Sequence, residues 1–170
     1  MIRTNIYWIE DFPNLGIMPR PRSGEWLEDE ILALKDDKVS IFCSLLTEDE
    51  ITELGLTQEQ NYCKEYGIEH IQFPIADRSV PKLDNNTISF IYQLSEKLKT
   101  GQRIVIHCRM GGGRSALIAA CIMVLSGISL EDAFKKIEHS RGFSVPDTEE
   151  QANWVVDFIT EYHHSEFYKH

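Results

Sequence analysis

A chain of 170 residues, 42% hydrophobic and 26% charged, has enough apolar mass for one core and too little length for two ordinary domains, so one domain over residues 1–170 is expected. Its net charge of −10 argues against a general affinity for nucleic acid or anionic lipid, since both require clustered Lys and Arg on a basic face. No run of about 18 apolar residues marks a membrane span, the opening MIRTNIYWIEDF lacks the apolar stretch of a signal peptide, and no lipidation box is present; a cytoplasmic setting and a monomer are the default expectations.

Four cysteines, Cys43, Cys63, Cys108 and Cys121, show neither metal-ligand spacing nor the density of a disulfide framework, so reduced thiols and no bound metal are expected. The arginines are distributed unevenly. Arg20, Arg22, Arg78, Arg109 and Arg114 sit beside Gly, Pro or Ser, where loops are expected, whereas acidic residues crowd helical stretches such as Glu25 to Asp37. That contrast hints at a local anion site.

In chain order, the extended runs Asn5–Ile9 and Leu15–Met18 flank a Pro13-Asn14 turn signal and predict an opening hairpin. Ser23 is placed to cap a helix Glu25–Lys35, whose Trp26, Ile31 and Leu34 recur near helical spacing. Val39–Leu46 is a continuous apolar run of strand length, which suits a strand buried on both faces. Thr47 with Glu50, and Thr57 with Gln60, form two capping boxes, the second opening a helix that Gly67 ends. A strand Ile68–Phe73 leads into the Pro-bounded loop Pro74–Pro81, which carries Asp77 and Arg78. Asp84 caps the helix marked by Ile88, Ile91, Leu94 and Leu98, and the strand Arg103–His107 follows Gly101. Three helices complete the chain, at about Arg114–Leu125, Leu130–Ser140 and Thr148–Tyr162. Strands separated by helices predict an α/β domain with a central, mainly parallel sheet of about five strands and helices on both faces.

The segment that carries chemistry is Ile104-Val-Ile-His107-Cys108-Arg109-Met110-Gly111-Gly112-Gly113-Arg114-Ser115. A buried strand turns through glycines into a helix, and glycines allow successive N–H groups to point inward while the helix N-terminus adds donors and positive potential. A cysteine at the start of such a loop sits in that field, which favours its thiolate and makes it a nucleophile. Arg114 closes the loop and can grip two phosphate oxygens through its planar fork. Ser115 is placed to donate a hydrogen bond to the sulfur, and His107 is read as a supporting group. Arg109 and Met110 are expected at the mouth of the loop, Arg109 within reach of a second negative charge or of solvent.

The run His107-Cys108-x5-Arg114-Ser115 resembles the signature of the cysteine-based protein tyrosine phosphatase superfamily. Pro19-Arg-Pro-Arg-Ser-Gly24, Ser44-Leu-Leu-Thr-Glu48 and Pro74-Ile-Ala-Asp77-Arg-Ser-Val-Pro81 are similar to its small dual-specificity branch, especially the kinase-associated phosphatase type, so the likeness extends over nearly the whole chain. It implies that Asp77 supplies the general acid from a separate loop, with Asp84 as the rival. It also implies that Gln151, in Thr148-Glu-Glu-Gln151, helps to position the hydrolytic water, although a helix cap explains the same residues. Arg78-Ser79 stands where that branch has glycines and bears on substrate preference. Cys43 or Cys121 could form a disulfide with Cys108 on oxidation, against the commoner role of packing.

Together these readings predict a cofactor-free phosphomonoesterase acting on phosphoprotein: phosphotyrosine, with phosphoserine and phosphothreonine open. Lipid-phosphate members often carry lysines in the loop, and this loop has none. Three alternatives stay open, namely a phosphoinositide phosphatase, a catalytically weak phosphate-binding module, and a rhodanese-like sulfurtransferase.

Overall fold

The computed structural model describes residues 2–169. Five strands form one sheet in the order β1-β2-β5-β3-β4, where β1 is Tyr7–Ile9, β2 Phe12–Met18, β3 Ile41–Ser44, β4 Glu69–Gln72 and β5 Ile104–His107. β1 is antiparallel to β2, and the remaining pairs are parallel. The helices are α1 (Leu27–Asp36), α2 (Glu48–Glu53), α3 (Glu59–Glu65), α4 (Asn85–Lys99), α5 (Arg114–Leu125), α6 (Leu130–Arg141) and α7 (Glu149–His163). The α/β architecture with a mainly parallel sheet is the one predicted.

Strand alternation divides the core into two layers. Ile41, Cys43, Ile104 and Ile106 pack with the apolar faces of α4 to α7, while Phe42 and Val105 pack with Leu27, Ile31 and Leu34 of α1 and Cys63 of α3. β3 and β5 are buried throughout because both faces are covered, which is why each reads as an unbroken apolar run. α5 is apolar on all sides because it lies among α4, α6 and α7. Chain connection reverses direction around β5, and the carboxyl ends of strands at such a point form the crevice in which α/β sheets bind ligands.

Several local readings need correction. The hairpin turns at Glu10-Asp11, with Asp11 left-handed at φ 66° and Ile9 opposite Phe12. Pro13 and Asn14 lie inside β2, in a bulge created by the register shift between Trp8 and Ile9 and before the β5 ladder begins at Leu15, so the missing proline N–H breaks no ladder bond. Ser23 makes no side-chain cap: Gly24, at φ 64°, turns the chain into a 3₁₀ turn, and α1 starts at Leu27. Nor does Thr57 cap α3, whose N-cap is Gln58. β3 and β4 run over Ile41–Ser44 and Glu69–Gln72, shorter than the 39–46 and 68–73 expected, although the Leu45 N–H still donates to the His107 carbonyl and the Phe73 N–H to the Ser44 carbonyl.

The caps at Thr47, Asp84 and Thr148 do form, and each side chain accepts from the backbone N–H three residues on. Asp84 Oδ1 receives the Thr87 N–H at 2.9 Å, and this bond is the leading cause of the lowering of its carboxyl below the usual range. Asp84→Ala should therefore lower folding stability, read as an earlier midpoint in urea denaturation. Its hydrolytic rate should match that of the wild type.

Candidate active site

β5 ends at His107, and residues 108–113 carry the chain from the sheet into α5. Cys108 is 2% exposed, and the Gly111 N–H donates to its Sγ at 3.3 Å. Gly111 has φ 72°, and a Cβ there would lie 2.6 Å from the Met18 carbonyl carbon, so the loop reaches this conformation against the end of β2 only with glycine. A Cβ on Gly113 would collide with the Asp147 carboxylate. The Arg20 N–H donates to the Arg109 carbonyl at 3.2 Å and ties the segment after β2 to the loop.

Arg114, the first residue of α5, is buried and anchored on three sides. Its Nη1 donates to Glu50 Oε1 at 2.7 Å and to the Ile75 carbonyl at 2.8 Å, while Nη2 donates to Glu50 Oε2 at 3.0 Å and Asp77 Oδ1 at 3.1 Å. The fork meets Glu50 in the bidentate geometry that fixes a guanidinium plane. Glu50 is itself held by the Thr47 capping box, receiving the Thr47 N–H at 3.1 Å and donating its own N–H to Thr47 Oγ1 at 3.3 Å. Burial acts to raise the Glu50 carboxyl, but hydrogen bonds from Arg114 and Thr47 and the Arg114 charge outweigh it and bring the group down to about 2. For Arg114, burial acts to lower and is outweighed by the hydrogen bonds and charge of Glu50 and by the nearby Cys108 and Asp77, so the guanidinium is held above its ordinary range.

The predicted site residues Cys108, Arg114 and Asp77 are brought together. Asp77 comes from the loop between β4 and α4, and its side chain is 52% exposed while one oxygen touches Arg114. Arg78 is exposed and left-handed, at φ 58°, in a turn closed by the Ser79 N–H on the Ala76 carbonyl. His107 has the supporting place expected, buried with its Nδ1 3.2 Å from the Cys108 carbonyl.

Other expectations fail in detail. The Ser115 hydroxyl does not donate to the Cys108 sulfur; it is buried and without a hydrogen-bond partner, and the backbone of Gly111 takes its expected place. Arg109, its side chain 32% exposed, pairs with Glu50 and Glu53, each 3.5 Å from its guanidinium. Met110 is exposed as expected, and its carbonyl receives Arg141 Nη2 at 3.1 Å. Gln151 is fully buried: its Oε1 receives the N–H groups of Asp147 and Thr148, and its Nε2 donates to the Ser79 carbonyl at 3.1 Å. The amide serves as a brace between α7 and the Asp77 loop, with one Nε2 hydrogen on Ser79 and the other uncommitted. Cys43 and Cys121 are free, buried thiols, both pushed up by burial.

Glu50 is a site residue that motif reading missed, because its capping box accounted for the carboxylate before any partner was sought. The only available signal was that a buried loop arginine needs an anion from another element.

Residues 34–160 match the model of the dual specificity phosphatase catalytic domain. The chain belongs to that family. It is 29% identical over 122 residues to cyclin-dependent kinase inhibitor 3 of Rattus norvegicus and 27% identical over 132 residues to the Homo sapiens protein, covering 71% and 76% of this chain. The matches span 56% and 60% of the length of those relatives. Among solved structures, kinase associated phosphatase with its catalytic-site cysteine substituted by serine superposes with a TM-score of 0.85 at 22% identity, covering 95% of this chain and 97% of the other. PTPMT1 in complex with PI(5)P superposes with a TM-score of 0.71 at 19% identity, covering 91% and 96%.

The Glu50–Arg114 pair makes a prediction about acid stability. The folded-state carboxyl titrates near 2 against an ordinary value of 4.5, so its contribution is complete above the ordinary value and is lost as pH falls from there toward 2. Glu50→Gln should remove that part of the acid transition and lower stability at neutral pH by about 3 kcal/mol, because a buried arginine loses its counter-charge. Urea melts across this pH range measure both effects.

Proposed function

We propose that this chain is a metal-independent phosphomonoester hydrolase that acts on phosphoprotein, phosphotyrosine first, through a cysteinyl-phosphate intermediate. The observation that supports it best is the convergence of three elements on one point. The Cys108 sulfur sits at the base of the glycine loop, the Arg114 fork is oriented by Glu50, and the Asp77 carboxylate reaches the same guanidinium from an exposed loop.

In the reaction, Cys108 Sγ attacks phosphorus, the ester P–O bond breaks, and Asp77 gives its proton to the leaving oxygen. Asp77, now a carboxylate, takes a proton from water as that water attacks the thiophosphate, which releases inorganic phosphate and the Cys108 thiolate. Inward N–H groups of residues 109–113, together with the Arg114 donors not taken by Glu50 and Ile75, its Nε–H and the Nη2 hydrogen now on Asp77, bind the equatorial oxygens and stabilise charge as it develops. Phosphate oxygens compete with Asp77 for Arg114 Nη2, so substrate binding itself turns the Asp77 side chain toward the leaving group.

The loop composition favours phosphoprotein over phosphoinositide. Residues 108–115 contain no lysine, and the one additional cation, Arg109, is already paired with Glu50 and Glu53. A polyphosphorylated ring would meet little free positive charge there. Hydrolysis of a phosphotyrosine peptide and of an inositol lipid, each in EDTA and with Cys108→Ser as control, tests the assignment. Peptide turnover should survive chelation and vanish in the serine variant. Preference for the lipid, or a serine variant retaining a tenth of the rate, would overturn it.

The role of Asp77 is read through the leaving group. Asp77→Asn should slow hydrolysis of a phosphotyrosine peptide by about 10²–10⁴-fold and that of an activated aryl phosphate much less. Equal losses on the two substrates would assign Asp77 to the turn alone.

A further inference from the structure

Beside the glycine loop, the segment that follows β2 leaves a hollow of about 390 Å³ lined by Ile2, Arg20, Arg22, Ser23 and Trp26. Two of those residues are arginines and none is acidic, although the chain carries a net charge of −10. Four other surface hollows each include at least one carboxylate, from Glu96, Glu149, Glu69 and Glu48 respectively. Charge, rather than size, distinguishes this one.

Its two arginines are not equivalent. Arg22 is anchored: Nε donates to Glu30 Oε1 at 2.9 Å, Nη2 donates to the Ile2 carbonyl, and the guanidinium lies 5.8 Å from the centre of the Trp26 ring. Glu30 is buried and also accepts the Thr4 N–H at 3.0 Å, so one carboxylate fixes both Arg22 and the chain that enters β1. Arg20 is half-buried, and among the described residues no carboxylate pairs with its guanidinium, whereas Arg22, Arg109 and Arg114 each have one. The Arg20 backbone is nevertheless fixed, because its N–H donates to the Arg109 carbonyl, one residue from Cys108. Trp26 is 50% exposed, against 6% for Trp154, so a large apolar ring faces solvent in the same hollow. The exposed carboxylates of the neighbouring turn, Glu25 and Asp29, do not line it.

We propose that Arg20 and Trp26 form a subsite for the residues that flank the phosphorylated one in a protein substrate, and that this subsite selects an acidic side chain, Asp or Glu. The reading rests on the phosphoprotein assignment above. An extended chain advances about 3.3 Å per residue, so a side chain one to three positions from a phosphate held at Cys108 comes within reach of an arginine tied to residue 109. Trp26 offers the apolar face against which the peptide lies, and exposed aromatic rings beside arginine are the residues that carry binding at protein surfaces. Arg20 supplies the charge. The net charge of −10 by itself favours a basic peptide, so a preference for an acidic one is local and must change sign with Arg20.

Binding to the Cys108→Ser variant separates the subsite from turnover. Fluorescein-labelled phosphotyrosine peptides carrying Glu, Gln or Lys at single positions on either side of the phosphotyrosine are titrated by anisotropy. The best-placed Glu should bind about two- to fivefold more tightly than Gln, the range of a partly exposed ion pair. Arg20→Gln in the same background should remove that difference, and Arg20→Glu should invert it in favour of Lys. Raising sodium chloride to about 0.5 M should shrink it. Bound peptide should quench tryptophan emission, and Trp26→Phe should abolish the quenching. Equal affinities for the Glu, Gln and Lys peptides, or a Glu preference that survives Arg20→Glu, would overturn the proposal. A wild-type protein that hydrolyses no phosphotyrosine peptide, beside a serine variant that binds the acidic ones selectively, would support the subsite and overturn the activity. Hydrolysis of phosphotyrosine peptides without regard to flanking charge would do the reverse.

Discussion

Arg114 is a guanidinium buried at the first turn of a helix whose other residues are almost all apolar, and taking such a charge out of water costs several kcal/mol (order of magnitude) unless its geometry is closely matched. Glu50 supplies the match, and its two oxygens define the plane of the fork. Once that plane is set, the remaining donors have limited directions. One meets the Ile75 carbonyl, and another reaches Asp77 on the next residue but one of the same loop. A single charge pair thus joins α2, α5 and the segment between β4 and α4, which are far apart in sequence. The glycine loop between Cys108 and Arg114 is spanned by this anchor at one end and by β5 at the other.

The elements that hold the site are the same ones that cap helices. Thr47 and Glu50 open α2 with reciprocal hydrogen bonds, and the carboxylate that closes this box is the one that clamps Arg114. Thr148 and Gln151 open α7 in the same way, and the Gln151 amide then reaches the Ser79 carbonyl two residues beyond Asp77. Local helix chemistry and long-range placement are therefore coupled. A change at Thr47, which touches no part of the loop, loosens Arg114 through Glu50.

Most of the sheet and the helices α4 to α7 were legible because long periodic segments, an unbroken apolar run and Gly or Asp punctuation each have one dominant physical reading. The loop 108–115 was legible for the same reason, since strand, glycines and helix follow one another without a gap. Failures occurred where a residue had two partners available. Ser23 and Thr57 have the chemistry of caps, but Gly24 and the 3₁₀ turn at one, and the Gln58 start at the other, moved the helix beyond their reach. Pro13-Asn14 marked an irregularity correctly and its type wrongly, because a bulge and a turn use the same residues. Glu50, Glu59 and the Gln151 brace depend on contacts between residues about 50 to 70 positions apart, which no local pattern carries.

The acidity of the chain and the donor-rich glycine loop are two sides of one arrangement. Carboxylates at Glu50 and Glu53 lie close to the loop, yet Glu50 is held by Arg114 and Glu53 faces Arg109. Their charge is neutralised locally, so the potential inside the loop is set by backbone N–H groups, the first turn of α5 and the guanidinium donors left over. The net charge of −10 repels other polyanions out to about a Debye length, beyond which salt screens it as well. An anion presented singly on a protein surface, close enough for the loop to enclose it, feels the local field. A polyanionic surface approaching as a whole meets the net one.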